Sequence, residues 1–353
     1  MFPEPYSKEL YVGREDLMLQ MLKWIDEYAP SFRLRSVVGP VGSGKSWFIA
    51  HLYHKLKDKN PSIIVVWMNL SAKPVHPNTL NAIELELEPV LHGLAGWQNW
   101  LALAPGQILS SSADLGAKLA DFLKQKGNKC EKIVVLVDGC DEVPQDERSW
   151  IEEHVLAVAF ANAKVRLVMT RRDQDGLNHP ILRWNNEVIK LPGMTTRERQ
   201  EQIERRYQQD AAAGQKLSMS LPDVKAVLDR FSGENPYINT GIFNKFKKQQ
   251  GTLVSDDLKE CVRDISRRAG LSDDSFDLLE EVLYYLPGTW TVTDLSDKLG
   301  MRIDDLGRLF ETGLIRHVSG KAQYEIDSGL YALYHSMRLA SGFTDLGRGN
   351  GTP

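Results

Sequence analysis

The sequence of 353 residues contains few cysteines, and they lie far apart. Cys130, Cys140 and Cys261 are odd in number and lack the close spacing of metal-binding cysteine pairs. This pattern argues against a disulfide framework and against a cysteine-based metal site. We expect three small buried residues in a protein from a reducing compartment.

Long hydrophobic runs are also lacking. No run approaches the roughly 18 apolar residues that a membrane helix requires. The first ten residues, MFPEPYSKEL, contain no apolar segment of the kind found in signal peptides. We therefore predict a cytoplasmic protein with no membrane partner.

Neither sign of charge dominates, since 43 Lys and Arg residues face 47 Asp and Glu residues, for a net charge of −4. This balance does not demand a nucleic-acid partner. Hydrophobic residues make up 42% of the chain and charged residues 25%, as in globular proteins. No internal repeat of solenoid or propeller length is visible. The length predicts two or three domains.

A glycine-rich segment, GPVGSGKSW, separates an apolar run from a helix-prone stretch. The spacing matches G-x-x-x-x-G-K-[ST], in which backbone N–H groups cradle phosphates, the lysine reaches the β and γ oxygens, and the hydroxyl holds Mg²⁺. The sequence therefore predicts a loop that binds nucleotide phosphates and Mg²⁺. Its members are Gly39, Val41, Gly42, Ser43, Gly44, Lys45, Ser46 and Trp47.

Five β-rich runs in the first half alternate with helical patterns. The runs are RLRSVV, SIIVVWMNL, KIVVLVD, VRLVMT and NEVIKL. Continuous apolar strands between amphipathic helices predict an α/β domain over residues 1–193, a parallel sheet flanked by helices. The longer segment of residues 77–106 is predicted as helix.

The strand pattern stops near residue 194. Four successive helical patterns predict a helical lid domain over residues 194–270. Residues 271–340 then follow a helix–helix–helix–hairpin order, which predicts a winged helix with Gly300 in its turn. Residues 341–353 are glycine-rich and are predicted to be a flexible tail.

The run IVVLVDGCDE places acids where a phosphate loop needs them. A buried strand ending in Asp138 would bring this carboxylate beside the Mg²⁺ held by Ser46. Either Asp141 or Glu142 can orient the attacking water, and their spacing does not choose between them.

Two arginines, Arg171 and Arg172, end the next strand in VMTRRD. A guanidinium at this position can contact the γ-phosphate through charge-assisted hydrogen bonds. Further along the chain, GENPYIN places Pro236 at the start of a helix, a favoured position for proline.

Taken in order, YVGRE (Tyr11–Glu15), the phosphate loop, VVLVDGCDE, VMTRRD, GENPYI and the winged helix resemble the signal-transduction ATPases with numerous domains, or STAND NTPases. The DGCDE strand is closer to their NACHT branch than to NB-ARC. The resemblance covers roughly Tyr11 to Arg338, and its most specific parts are the phosphate loop and the DGCDE strand.

The resemblance implies roles for individual residues. Tyr11, Val12 and Arg14 become candidate contacts of the adenine, and Pro236 would close over the base from the helical domain. Arg172 is favoured over Arg171 as the sensor of the γ-phosphate. The remaining implied roles match the motifs: phosphate and Mg²⁺ for Lys45 and Ser46, metal for Asp138, and water activation for Asp141 or Glu142.

The resemblance also implies a mode of action. Bound ADP would hold the modules closed, and exchange for ATP would release the winged helix and allow homo-oligomerisation. Slow ATP hydrolysis and activation of an effector in signalling or defence would follow, with effector or sensor proteins acting in trans. Many members carry a histidine that contacts the ADP β-phosphate where this chain has Ile326, so an ADP lock is either missing or made differently.

A winged helix also permits a different class, an ATP-dependent DNA-binding protein resembling archaeal and origin-recognition AAA+ proteins. The helix expected in the major groove is Ile303–Glu311, whose charged residues are Asp304, Asp305, Arg308 and Glu311. Because DNA binding relies on basic residues that neutralise phosphates, this acidic helix argues against a DNA partner. A metabolic phosphotransferase is the weakest alternative, since no acceptor site is visible in the sequence.

Overall fold

The computed structural model describes most of the chain in two compact units. The described residues are 6–59, 62–69, 84–87, 130–140, 145–172, 176–215, 217, 219–229, 235–251, 255–311, 314–318, 321–326, 330–331 and 334–335. The first unit comprises Met1–Lys8, Arg14–Gly39 and Lys45–Leu191, and the second comprises Glu9–Gly13, Pro40–Gly44 and Pro192–Pro353. Two short segments thus belong to the second unit although residues of the first flank them in sequence.

The first unit is built on a six-stranded sheet. Its strands are β1 (Leu34–Val38), β2 (Ile63–Asn69), β3 (Glu84–Leu87), β4 (Lys132–Asp138), β5 (Val165–Arg171) and β6 (Asn186–Lys190). Their order is β3-β2-β4-β5-β1-β6, and all neighbours are parallel except β3, which pairs antiparallel with β2. All seven residues of β5 are buried, as a central strand covered on both faces requires. The predicted parallel sheet is confirmed, with one antiparallel strand, β3, at its edge.

Helices accompany this sheet. They are α1 (Glu15–Asp26), α2 (Lys45–Lys59), α3 (Gln145–Ile151), a π-helical turn (Glu152–Leu156), α4 (Ala157–Ala161) and α5 (Pro180–Trp184). On α1 the buried residues Met18, Met21 and Ile25 recur at helical spacing, which gives the helix its apolar face.

The helix predicted over residues 77–106 is wrong at Glu84–Leu87, which form the edge strand β3. Alternation in ELEL has the period of a strand, and the backbone of β2 offers it hydrogen bonds from Val66 to Asn69. The rest of that segment lies outside the described residues.

The second unit contains helices and a small sheet. Its helices are α6 (Thr196–Ala212), α7 (Leu221–Leu228), α8 (Pro236–Lys248), α9 (Ser255–Arg268), α10 (Asp273–Tyr285), α11 (Val292–Leu299), a 3₁₀ turn (Ile303–Leu306) and α12 (Gly307–Glu311). The strands β7 (Thr289–Trp290), β8 (Ile315–His317) and β9 (Tyr324–Ile326) form an antiparallel sheet in the order β7-β9-β8. Gly300 ends α11 in the left-handed region, at φ 64°.

One hydrophobic core runs through the second unit. Phe246 of α8, Leu279 of α10 and Leu306 of the 3₁₀ turn are each fully buried in it. Trp290 stacks on Tyr324 with ring centroids 5.0 Å apart, which ties β7 to β9.

The three cysteines are buried, in agreement with the sequence prediction. None of the described helices combines the length and apolar character needed to cross a bilayer.

Candidate functional site

The glycine-rich loop joins the end of β1 to the start of α2. Gly42 and Gly44 have φ values of 79° and 89°, a region that side chains with a Cβ rarely adopt. The N–H of Ser43 bonds the carbonyl of Pro40 at 3.2 Å and closes a tight turn. Helix α2 then begins at Lys45, and no acidic residue in its first turn offsets the positive end of the helix dipole.

Lys45 lies against its own loop. The residue is 9% exposed, and its Nζ donates to the carbonyl oxygen of Gly39 at 2.7 Å. The next two residues, Ser46 and Trp47, are partly exposed. The ring of Trp47 meets Tyr6 edge to face, with centroids 5.6 Å apart. The amine and the hydroxyl predicted for phosphate and Mg²⁺ thus occupy the first turn of α2.

Asp138 ends β4 and is only 2% exposed. Its Oδ1 accepts a hydrogen bond from the hydroxyl of Thr170 on β5 at 2.7 Å. The same hydroxyl accepts from the N–H of Gly139 at 3.1 Å. Because parallel strands present their carboxyl ends at one edge, Asp138 at the end of β4 and Gly39 directly after β1 lie at the same edge of the sheet.

The two candidate sensor arginines differ in environment. Arg171 is the last residue of β5, is 7% exposed and pairs in register with Val38, directly before the loop. Arg172 follows the strand and is partly exposed. Both stay candidates. Asp141 and Glu142 lie outside the described residues.

The candidate adenine segment is buried and held by α6. Tyr11 and Val12 are 4% and 6% exposed. Nη1 of Arg205 donates to the carbonyl oxygens of Glu9 at 3.0 Å and Tyr11 at 2.7 Å. The carboxylate of Glu201 accepts from the same guanidinium at 2.6 and 3.1 Å, which fixes its direction.

Glycine is needed where this segment ends. Gly13 has φ 78°, and a Cβ there would lie 1.9 Å from Oε1 of Glu198. Glu198 itself forms a capping box with Thr195 at the start of α6. Arg14, the residue before α1, also has a left-handed backbone, with φ 62°.

Pro236 is the first residue of α8, and Asn235 caps the helix. The Nδ2 of Asn235 donates to the carbonyl oxygen of Val41 at 2.8 Å. The N–H of Tyr237 reaches the carbonyl oxygen of Gly42 at 3.3 Å. The first turn of α8 therefore contacts the apex of the glycine-rich loop inside the second unit.

The side chain of Tyr237 continues this contact toward α9. Its hydroxyl donates to Asp264 and accepts from Nε of Arg268 at 2.6 Å. The guanidinium of Arg268 also lies 4.6 Å from the ring centroid. Burial, followed by the hydrogen bond to Asp264, raises the pKa of Tyr237 to about 12.

A fully buried carboxylate, Glu152, begins the π-helical turn. Its Oε2 accepts from the N–H groups of Asn178 at 2.7 Å and His179 at 2.9 Å, at the start of α5. The amide of Asn178 in turn donates to Ser149 of α3 at 3.0 Å. These bonds hold the backbone of Asn178 and His179 against the π-helical turn.

The available ligands suit Mg²⁺. Ser46 and Asp138 offer hard oxygen atoms, and the part of the chain that the structure describes contains no cluster of three or more His, Cys, Asp and Glu. Mg²⁺ commonly takes one or two protein oxygens and fills its octahedron with water and substrate phosphates. The two candidate oxygen ligands, from Ser46 and Asp138, fall within this usual number.

Three residues of this region were not predicted from the sequence: Thr170, Arg205 and Asn235. Thr170 directly precedes the two candidate arginines in VMTRRD, and Asn235 directly precedes the proline that starts α8, so both had a local signal. Arg205 had none, because its contact spans almost the whole first unit in sequence.

Comparisons with known proteins agree with this geometry. The family model described as Novel STAND NTPase 1 matches residues 3–234. No curated protein matches the chain.

Among solved structures, the chain is similar to Cdc6p from Pyrobaculum aerophilum, at 16% identity over 96% of each chain and a TM-score of 0.50. The ORC2 protein of Aeropyrum pernix, solved as ADPNP-ADP complexes, is 11% identical over 96% of this chain and 97% of that one, with a TM-score of 0.45. The RuvB Holliday junction branch migration motor of Thermotoga maritima is 15% identical over 92% and 96%, with a TM-score of 0.41.

The likeness to Cdc6p concerns the fold alone, whereas the family match covers well over half of the chain. The family match agrees with the glycine-rich loop, the lysine that begins α2 and the buried aspartate that ends β4. The chain therefore belongs to the STAND NTPase family Novel STAND NTPase 1 and is a nucleotide-binding P-loop ATPase.

Proposed function

We propose that the chain is a nucleotide-operated switch. It binds ATP or ADP with Mg²⁺, hydrolyses ATP slowly, and oligomerises in its ATP state to activate an effector in signalling or defence. One observation carries this proposal: the segments Glu9–Gly13 and Pro40–Gly44, expected to contact adenine and phosphate, pack with the second unit. A switch needs its nucleotide contacts attached to the helices that respond.

Different residues of the chain have different roles in ATP binding and hydrolysis. Lys45 leaves the Gly39 carbonyl to contact the β and γ phosphate oxygens, and Ser46 and Asp138 hold the metal. Asp141 or Glu142 orients the attacking water. Bound Mg²⁺ supplies neutralising charge to the phosphate oxygens.

The second unit supplies the moving parts in this proposal. The domains are a nucleotide-binding domain over residues 1–193, a helical lid over 194–270, a winged helix over 271–340 and a tail over 341–353. The succession of α10, α11, α12 and the small antiparallel sheet supports a winged helix. Pro236, which starts α8, closes over the base.

Recognition of ATP over ADP falls to Arg172. Its partly exposed position directly after β5 leaves its guanidinium able to contact a γ-phosphate. ATP binding then favours a homo-oligomer, and an effector or sensor protein binds in trans. A NACHT-like character and a cytoplasmic location belong to the same proposal.

DNA binding is the alternative function, and the charges of the second unit oppose it. The guanidinium of Arg302 donates to Asp304 at 3.1 Å, and its backbone N–H bonds Asp305 at 2.7 Å. Arg316 pairs with Glu325 at 2.5 Å. Basic groups held by carboxylates are poor partners for DNA phosphates, so we expect no duplex binding tighter than micromolar at physiological salt.

Sedimentation velocity tests the switch. We expect a larger species with a non-hydrolysable ATP analogue and Mg²⁺ than with ADP. Arg172→Ala should abolish this difference while ADP binding persists, because only ATP offers the γ-phosphate. Arg183→Ala, which removes an exposed arginine from α5, is the matched control and should behave as wild type.

Two results would contradict the proposal. Identical sedimentation coefficients with the ATP analogue and with ADP would contradict a nucleotide-dependent change of oligomeric state. Nanomolar DNA affinity with a steep salt dependence, lost in Arg302→Ala and Lys321→Ala, would favour the DNA-binding alternative.

A further inference from the structure

The side chain of Asn235 serves two segments of the second unit at once. Its Oδ1 accepts from the N–H groups of Tyr237 at 3.0 Å and Ile238 at 3.3 Å and thereby caps α8. Its Nδ2 donates to the carbonyl oxygen of Val41 at 2.8 Å. Because the residue is only 2% exposed, water competes little for these bonds.

Capping alone does not require asparagine at this position. Serine, threonine and aspartate cap helices about as well, since the cap needs only an oxygen acceptor. Three further caps of this chain, Thr195, Ser272 and Thr291, use hydroxyls. What asparagine adds is an NH₂ donor, and here that donor bonds the glycine-rich loop.

The loop is fitted to this partner. A Cβ on Gly42 would lie 2.7 Å from Oδ1 of Asn235 and 2.9 Å from Cβ of Tyr237. The carbonyl of Gly42 also accepts from the N–H of Tyr237 at 3.3 Å. Any side chain at residue 42 would therefore push the loop off the first turn of α8.

Peptide planarity gives this contact a consequence for the loop. In a trans peptide the C=O and the following N–H point in opposite directions. The bond from Asn235 to the carbonyl of Val41 therefore turns the N–H of Gly42 away from α8. Backbone N–H groups of such a loop are the donors that receive phosphate oxygens.

We propose that Asn235 is a positioning residue of the phosphate loop. It aims the N–H of Gly42 through the Val41 carbonyl and transmits the nucleotide state of the loop to the first turn of α8. This inference rests on the nucleotide binding proposed above and names the residue through which that binding reaches the helices.

The test compares hydrogen exchange of the full-length wild type and Asn235→Ser with and without Mg²⁺ and ADP. Serine still caps α8, but it carries no NH₂ group and is too short to replace the bond to Val41. In wild type, ADP should slow exchange in the first turns of both α2 and α8. In Asn235→Ser the effect should persist in α2 and be lost in α8, and the Kd for ADP should rise by about fivefold to tenfold.

Ser272→Ala is the matched control, because it removes the cap of α10 without touching the loop. It should keep the wild-type response to ADP. If circular dichroism shows that Asn235→Ser does not fold, Asn235→Asp replaces it, since aspartate also caps α8 and also lacks the donor.

The outcomes separate the two proposals. A wild-type response in α8 together with unchanged ADP affinity in the variant would overturn the role of Asn235 and leave nucleotide binding intact. Absence of any effect of ADP on α2 in the wild type would overturn nucleotide binding and the role of Asn235 with it.

Discussion

The hydroxyl of Thr170 helps to orient Asp138. It donates to Oδ1 of Asp138 and accepts from the N–H of Gly139, so it connects the carboxylate to the backbone that follows β4. Removing a hydrogen bond to a charged group costs about 1.5–3 kcal/mol. We expect Thr170→Val to lower Mg²⁺-dependent ATP hydrolysis by about tenfold or more.

Nucleotide binding without Mg²⁺ should change little in Thr170→Val, as isothermal titration calorimetry can check. The control is Ser36→Ala, which removes a buried hydroxyl of β1 that bonds Asn186 instead. Equal loss of hydrolysis in both variants would show a general effect on the sheet.

Tyr237 gives a prediction for the dependence of stability on pH. Its pKa is raised from 10.0 to about 12, so between these values the unfolded chain loses a proton that the folded chain keeps. Stability from this group is therefore complete below pH 10 and is lost between pH 10 and 12, at no more than about 1.4 kcal/mol per pH unit.

Urea denaturation at pH 9, 10 and 11 measures this effect. The free energy of unfolding should fall more steeply with pH in the wild type than in Tyr237→Phe, which has no proton to lose. If the free energy of unfolding fell equally with pH in both proteins, the raised pKa of Tyr237 would be excluded as the cause.

At the scale of elements, α6 holds the backbone that is expected to contact adenine. Arg205 bonds the carbonyls of Glu9 and Tyr11, and Glu201 fixes its guanidinium. If this segment contacts the base, Arg205→Ala should weaken ADP binding by about tenfold, the size expected for hydrogen bonds from a charged donor.

The matched control for Arg205→Ala is Lys225→Ala. This variant breaks the ion pair between Lys225 of α7 and Glu204 of α6, which does not involve the segment Glu9–Gly13. Fluorescence titration with labelled ADP distinguishes them. An unchanged Kd in Arg205→Ala would remove Tyr11 and Val12 from the candidate base contacts.

Elements with a strong local pattern could be predicted from the sequence. The apolar runs predicted β1, β2, β4 and β5, because burial on both faces of a parallel sheet demands continuous apolar residues. The run NEVIKL also predicted β6, although this edge strand is partly exposed. The edge strand Glu84–Leu87 was predicted as helix, since four residues with two glutamates become a strand only through pairing with β2.

The candidate site also contains residues that could be predicted from the sequence and residues that could not. Lys45 and Asp138 follow from spacing and from strand ends, which are local properties. The contacts of Arg205 and Asn235 depend on long-range packing, 194 residues apart in the bonds to Tyr11 and Val41, and no local pattern encodes such a distance.

At the scale of the whole molecule, a switch requires a long-lived ATP state. Unassisted P-loop switches turn over at about 10⁻⁴ to 10⁻² per second. We expect steady-state hydrolysis by the full chain in this range, measured as phosphate release.

Asp141→Ala and Glu142→Ala should retain ATP binding, and the larger loss of turnover identifies the residue that orients water. Turnover near 10 per second, about the median for enzymes, would indicate a metabolic enzyme instead.

The central claim is that the loop after β1 binds adenine nucleotide, and thermal unfolding with Mg²⁺ and ADP tests it most directly. A ligand at 1,000 times its Kd stabilises the folded state by about 4 kcal/mol, so the Tm should rise by several degrees. Lys45→Ala should lose most of this rise, whereas Lys57→Ala, which removes an exposed lysine of the same helix, should keep it. No change of Tm in the wild type, or an equal rise in Lys45→Ala, would contradict the account.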